Sequence, residues 1–363
     1  MTDYKKLAGN NINSLSPYKP GKPIDELKRE LGIERIIKLA SNENPYGPSP
    51  MVREAIINGI DDISRYPLGD AYNIRMDLAN KLKISPKELI FGTGSNELIE
   101  ILMRTFLHGE DYVMSPSPSF PVYFLSSKAL GSKCDWIPTG ENFEIDLDEV
   151  LAKITKNSRI IFIANPNNPV GNYINADKLT KFMDKVPSDI IVVMDEAYIE
   201  FSDAKDMSDT LSMFKKYKNM VLLRTFSKAY GLAGLRIGYG IADEECIDMM
   251  NRVRQPFNTN SLAQIGACAA LKDETWLEKI VNGNKAGKEM LYKGFEELNL
   301  KYVKTQTNFI LVNVGDGLKV FNELLNLGVI VRFPGPELSK YIRVTIGSEE
   351  ENQIFLEALK KVI

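Results

Sequence analysis

Five short runs in this chain are apolar at nearly every position, and helix-like stretches separate them: Glu88–Phe91, Tyr112–Met114, Arg159–Ala164, Asp189–Met194 and Asn219–Leu223. A strand with one face in water alternates apolar and polar residues; a strand apolar on both faces needs a cover on each. With a helix between successive strands, the arrangement that provides both covers is an α/β fold, a mainly parallel sheet with helices on its two faces. In such sheets ligands sit at the carboxyl ends of the strands. The residues that follow each run, rather than the runs themselves, are therefore the candidates for chemistry.

At 363 residues, the chain is about two domains long at roughly 150 residues each. The periodicity divides it into an N-terminal arm and helix (1–45, with the helix at Ile24–Leu31) packing on the small domain, a large domain (46–254) and a smaller α/β domain (255–363). The last contains helices at Leu262–Leu271 and Trp276–Glu297 and strands at Phe309–Val314, Val329–Val331 and Tyr341–Thr345. Charge is nearly balanced, 45 Lys and Arg against 48 Asp and Glu, with no long basic run. A sequence-independent grip on nucleic acid is thereby disfavoured. Cys134, Cys246 and Cys268 are widely and irregularly spaced, which writes neither a disulfide framework nor a zinc knuckle. The N-terminal residues form no apolar signal region and the longest apolar stretches fall far short of a bilayer span, so the expected setting is cytoplasmic. The single histidine, His108, at the expected end of a helix, excludes a multi-histidine metal site and suits a helix terminus better than a catalytic triad. No metal site is expected.

Four segments after the apolar runs can carry chemistry. Gly92-Thr93-Gly94-Ser95-Asn96-Glu97 passes from strand to amphipathic helix and leaves backbone N–H groups free for an anion; the alternative is a plain glycine turn with Ser95 as N-cap. Arg224-Thr225-Phe226-Ser227-Lys228 sets a lysine directly after a buried strand, where desolvation and nearby cations would free its amine to attack a carbonyl. Thr225, Ser227 and Arg236 add the donors a phosphate needs, against the alternative of a solvated lysine before a glycine-rich loop. Asp195 emerges from a buried run and needs a cation, either a protein Arg or Lys or a protonated ring nitrogen of a cofactor. Tyr198 and Asn168 supply neutral hydrogen-bonding groups beside it.

Taken in order, NENPYG (42–47), RYP (65–67), GTGSNE (92–97), NPNNPVG (165–171), DEAYIEF (195–201), RTFSKAYGLAGLRIGYG (224–240) and RVTIG (343–347) resemble the fold-type-I pyridoxal-phosphate aminotransferases, and among them the histidinol-phosphate aminotransferase family. That resemblance runs from about Tyr18 to the C-terminus. It implies pyridoxal 5'-phosphate as cofactor, tethered by Lys228, with Asp195 on the pyridinium nitrogen and Tyr198 and Asn168 on the 3-oxygen. It also implies that Lys228, once displaced by substrate, carries the proton. The cofactor phosphate would lie on Gly94, Ser95 and Asn96 with Thr225, Ser227 and Arg236, and Tyr66 would reach it from a second subunit, making the active unit a homodimer. Phe120 stands where the family stacks a tyrosine on the ring, with Tyr123 as a nearby alternative; only a ring face is needed.

The resemblance places Tyr18, Arg332 and Arg343 at the anionic end of the substrate, and Arg332 could instead be a surface charge after its strand. The implied reaction is transfer of an amino group between histidinol phosphate and 2-oxoglutarate, giving imidazole-acetol phosphate and glutamate, in histidine biosynthesis. The linker 333–339 departs from the usual pattern, so an aromatic-amino-acid aminotransferase is the near alternative and threonine-phosphate decarboxylase a further one.

Overall fold

The computed structural model describes residues 2–17, 27–29, 32 and 35–363. The expected helix Ile24–Leu31 lies largely outside these residues, and Tyr18 wholly so. Strands are numbered in chain order: β1 Ile37–Lys38, β2 Leu89–Gly92, β3 Tyr112–Ser117, β4 Cys134–Pro138, β5 Ser158–Ala164, β6 Ile191–Asp195, β7 Met220–Thr225, β8 Gly238–Ile241, β9 Phe309–Asn313, β10 Val329–Ile330 and β11 Tyr341–Thr345.

The central sheet has seven strands in the order β2-β8-β7-β6-β5-β3-β4. Strands β4, β3, β5, β6 and β7 run parallel, and β8 lies antiparallel between β7 and β2. Its two faces are covered by separate apolar clusters. Ile161, Ile163, Val192, Met194 and Leu222 face one of them. Ile160, Phe162, Val193, Val221 and Leu223 face the other. Alternation along each strand thus fills two cores, which is why the runs are apolar throughout.

Two strands had no signal in the apolar runs. Strand β4 is an edge, with Asp135 and Trp136 only half-buried. Strand β8 reads Gly-Tyr-Gly-Ile, a loop-like composition, yet both glycines are required by close approach: a Cβ on Gly238 would lie 2.6 Å from the Ser95 nitrogen, and one on Gly240 3.0 Å from Ile90 Cγ2.

The C-terminal part builds a second core from Leu291, Phe295, Ile310, Val312, Val344 and Phe355, and Ile37 and Leu39 of the arm complete it. Strand β1 pairs in parallel with β10, and β9 with β11 antiparallel. Helix Ser261–Lys272 packs elsewhere: Ala263, Ala267 and Leu271 join the core of Val52, Ile74 and Leu78. No helix among the described residues is long and apolar enough to cross a membrane.

Candidate active site

The carboxyl ends of β2, β3, β5, β6 and β7 open into a crevice of about 420 Å³, closed on its far side by Ala40–Asn42 and by residues around Arg332 and Arg343. Lys228, Asp195, Tyr198, Asn168, Phe120, Gly94, Ser95, Asn96, Thr225, Ser227, Arg236, Arg332 and Arg343 all line it. Tyr66 does not: it is 82% exposed and stacks on Phe257 with ring centroids 4.8 Å apart, outside its own chain's crevice. His108 is exposed, two residues past the helix Ser95–Phe106.

Asp195 ends β6 and is 5% exposed. The arginine of the neighbouring strand is directed elsewhere, and Lys228 acts on the Asp195 carboxyl only through its charge. Arg224, on neighbouring β7, turns its guanidinium to Glu196, Nε to Oε2 at 2.8 Å, and Thr210 donates to the other oxygen of Glu196 at 2.6 Å. No described lysine or arginine forms an ion pair with Asp195. Burial pushes its carboxyl up to about 6, against the opposing pull of the Tyr123 hydroxyl and the Ala197 N–H.

Tyr123 is the residue that sequence reasoning placed wrongly as a stacking alternative. It sits in the first turn of the helix Val122–Ala129, fully buried, stacked on Phe162 at 4.6 Å, and its hydroxyl donates to Asp195 Oδ2 at 2.7 Å. Phe120 keeps its ring in the crevice, edge-on to Tyr123 at 83°. Tyr123→Phe should lower kcat by roughly tenfold to a hundredfold, the worth of one hydrogen bond to a charged group. Steady-state kinetics beside an unchanged circular-dichroism spectrum checks it.

Lys228 Nζ donates to the Ser41 carbonyl at 3.0 Å. Burial, with Arg343 and Arg236 near, pushes its amine down to about 8, so a nucleophilic neutral fraction exists near neutrality. Arg343 donates to Asn168 Oδ1 and to the Ala40 carbonyl, both at 2.6 Å, and its guanidinium lies over the Phe309 ring at 5.1 Å. Arg332 pairs backbone to backbone with Arg343, which brings a second guanidinium to the same rim. Tyr198 accepts from Asn42 Nδ2 at 2.9 Å and Asn168 Nδ2 at 3.2 Å and meets Phe309 edge-on at 5.2 Å.

The glycine loop resolves as an anion cradle. Leu98, Ile99, Leu102 and Met103 recur at helical spacing and bury one face of Ser95–Phe106, whose N-cap is Gly94, not Ser95. No side chain caps that helix, so its first N–H groups point into the crevice. Gly94 has φ +75°, and a Cβ there would meet Arg236 Nη2 at 2.6 Å. Arg236 itself donates to Ser227 Oγ at 3.3 Å, and Ser227 N–H to Thr225 Oγ1 at 3.1 Å, so hydroxyls and guanidinium face one space.

A family model described as aminotransferase class I and II matches residues 34–359. The histidinol-phosphate aminotransferase of Caldicellulosiruptor saccharolyticus is 47% identical over 355 residues, covering 97% of this chain and 99% of its own. That of Anoxybacillus flavithermus is 44% identical over 359 residues, covering 97% and 95%. The chain belongs to the class I and II aminotransferases, among the histidinol-phosphate aminotransferase family. The crystal structure of histidinol-phosphate aminotransferase from Sinorhizobium meliloti in complex with pyridoxal-5'-phosphate shares the fold with a TM-score of 0.89 at 25% identity, covering 97% of this chain and 96% of that one.

The donor set of this aminotransferase fits that cofactor on its own chemistry. A buried carboxylate in no ion pair among the described residues suits a protonated ring nitrogen, and a buried amine lowered to about 8 suits an aldehyde carbon. An uncapped helix start beside Arg236, Ser227 and Thr225 suits a phosphate. Each of these three parts of the cofactor has complementary groups, and they line a single crevice.

Proposed function

We propose that the protein transfers an amino group between histidinol phosphate and 2-oxoglutarate, forming imidazole-acetol phosphate and glutamate in histidine biosynthesis, with pyridoxal 5'-phosphate as cofactor. The observation that carries this reading is the meeting of Lys228, Asp195 and Arg343 in one crevice of a chain with full-length similarity to histidinol-phosphate aminotransferases. A cytoplasmic setting accords with three cysteines that are all free.

When bound, the cofactor draws electrons from the substrate's α carbon and so makes its proton removable. The chain's residues do the rest. Asp195, nearly buried at the end of its strand, would hold the positive charge of the ring nitrogen. Tyr198 and Asn168 orient the ring edge, Phe120 covers a face, and Gly94, Ser95, Asn96, Thr225, Ser227 and Arg236 hold the phosphate. Lys228 would hold the cofactor through Nζ, and the same nitrogen, when free, would carry the α proton. Arg343 and Arg332 grip the anionic end of the substrate, with a fork that suits carboxylate and phosphate alike. Tyr18 belongs to the same reading but lies outside the described residues.

The active unit in this reading is a homodimer. Ile57, Ile60, Ile63, Leu68 and Tyr72, near Tyr66 in the chain, are each at least half-exposed, apolar side chains that a partner subunit would cover. Tyr66 would complete the phosphate site of the partner.

A substrate panel tests the function. Histidinol phosphate should exceed phenylalanine and tyrosine in kcat/KM with 2-oxoglutarate, and keto-acid formation without carbon dioxide release should accompany it. Phenylalanine used as well as histidinol phosphate would favour the aromatic alternative, and carbon dioxide release the decarboxylase. Arg343→Gln should raise KM for glutamate by roughly tenfold to a hundredfold, the loss of hydrogen bonds between charged groups; an unchanged KM would place the carboxylate elsewhere.

A further inference from the structure

The NENPYG segment has no role in the scheme above, yet its first residue touches the site. Asn42 is 1% exposed and has φ 55°, the left-handed region. Every polar group it carries is engaged. Its Nδ2 donates to Tyr198 Oη at 2.9 Å. Its backbone N–H donates to Thr345 Oγ1 at 3.0 Å, and that hydroxyl donates in turn to Asn42 Oδ1 at 3.3 Å. Its carbonyl accepts from Asn308 Nδ2 at 3.0 Å. The Thr345 hydroxyl receives the backbone N–H and gives its own proton to the amide oxygen, and the NH₂ faces the phenol.

We infer that Asn42 is a positioning residue for Tyr198, presenting an amide N–H to the phenol oxygen from a segment that Thr345 and Asn308 anchor to the C-terminal unit. The phenol oxygen then receives two amide donors, from Asn42 and from Asn168. Two donors on one oxygen fix the ring's rotation and favour the state of the phenol that gives up its proton toward the crevice. Both amides pull the Tyr198 pKa down, against the burial that raises it. The bland role for an asparagine here is to supply a left-handed turn, which glycine would do as well.

The inference rests on the reading that Tyr198 meets pyridoxal phosphate, and the test separates the two. Apoenzyme is titrated with pyridoxal phosphate for four proteins: wild type, Asn42→Gly, Tyr198→Phe and the double variant. Glycine keeps the positive φ and removes only the side chain. Asn42→Gly should weaken cofactor binding about tenfold when Tyr198 is present, the worth of one buried hydrogen bond, and less than about twofold when residue 198 is Phe. Asn42→Asp keeps the shape and tolerates the turn but replaces the donor by an acceptor, so it should weaken binding at least as much. An equal loss with Tyr198 and with Phe, or no loss in Asn42→Gly, would overturn the positioning role. If Asn42→Gly melts early, Asn42→Asp in the same cycle decides. Failure of the wild-type apoenzyme to bind the cofactor at all would strike the underlying reading and take this inference with it.

Discussion

Lys228→Ala is expected to abolish transamination, with kcat lowered by at least about 10⁴, because one substitution removes both the covalent tether and the proton carrier. Borohydride treatment of the wild-type holoenzyme should fix the cofactor to the peptide containing Lys228, and the variant should yield no adduct. The fold should persist, since Nζ makes one hydrogen bond, to a backbone carbonyl. The stability difference should also depend on pH, with a defined sign. The buried amine titrates at about 8 rather than 10.5. Between those values the unfolded chain binds more protons at this site, so wild-type stability rises with pH there. The cost of burying the lysine is complete below about pH 8 and fades as pH approaches 10.5. Urea unfolding of the two apoproteins should therefore show the variant gaining most, relative to wild type, at the acid end of that window.

The second large effect is Asp195→Asn, for which kcat should fall by roughly 10² to 10⁴. Removing one partner of a buried ion pair costs about 3–5 kcal/mol, and each 1.36 kcal/mol is tenfold in rate. The neutral amide keeps the volume, so folding and cofactor binding should suffer less than turnover. In wild-type apoprotein the carboxyl is protonated below about pH 6. A loss of cofactor affinity on acidification through that value should appear in wild type and vanish in the variant. Turnover of the variant at the wild-type rate would remove Asp195 from the ring nitrogen.

What could be read from residues alone followed the burial pattern. Strands β5, β6 and β7 are covered on both faces and so are apolar without a break over Ile160–Ala164, Ile191–Met194 and Met220–Leu223, which no loop mimics. Strand β8 was illegible because its glycines answer to neighbours, the Ser95 nitrogen and Ile90, that are distant in sequence. Strand β4 escaped because an edge carries only part of the pattern. The site divides the same way. Asp195 ends β6, and Lys228 and Asn168 come within four residues of the ends of β7 and β5, so topology brings them together. Tyr123 and Asn42 reach the site through a helix phase and a left-handed turn, and neither is written in a local pattern.

Three successive residues of the arm each hold a different working side chain: the Ala40 carbonyl takes Arg343, the Ser41 carbonyl takes Lys228, and the Asn42 amide takes Tyr198. The arm is itself paired to β10. Anyone grafting the C-terminal half of a relative onto this chain to alter its selectivity would therefore have to transplant residues 37–42 with it, because a mismatched strap would misplace all three groups at once.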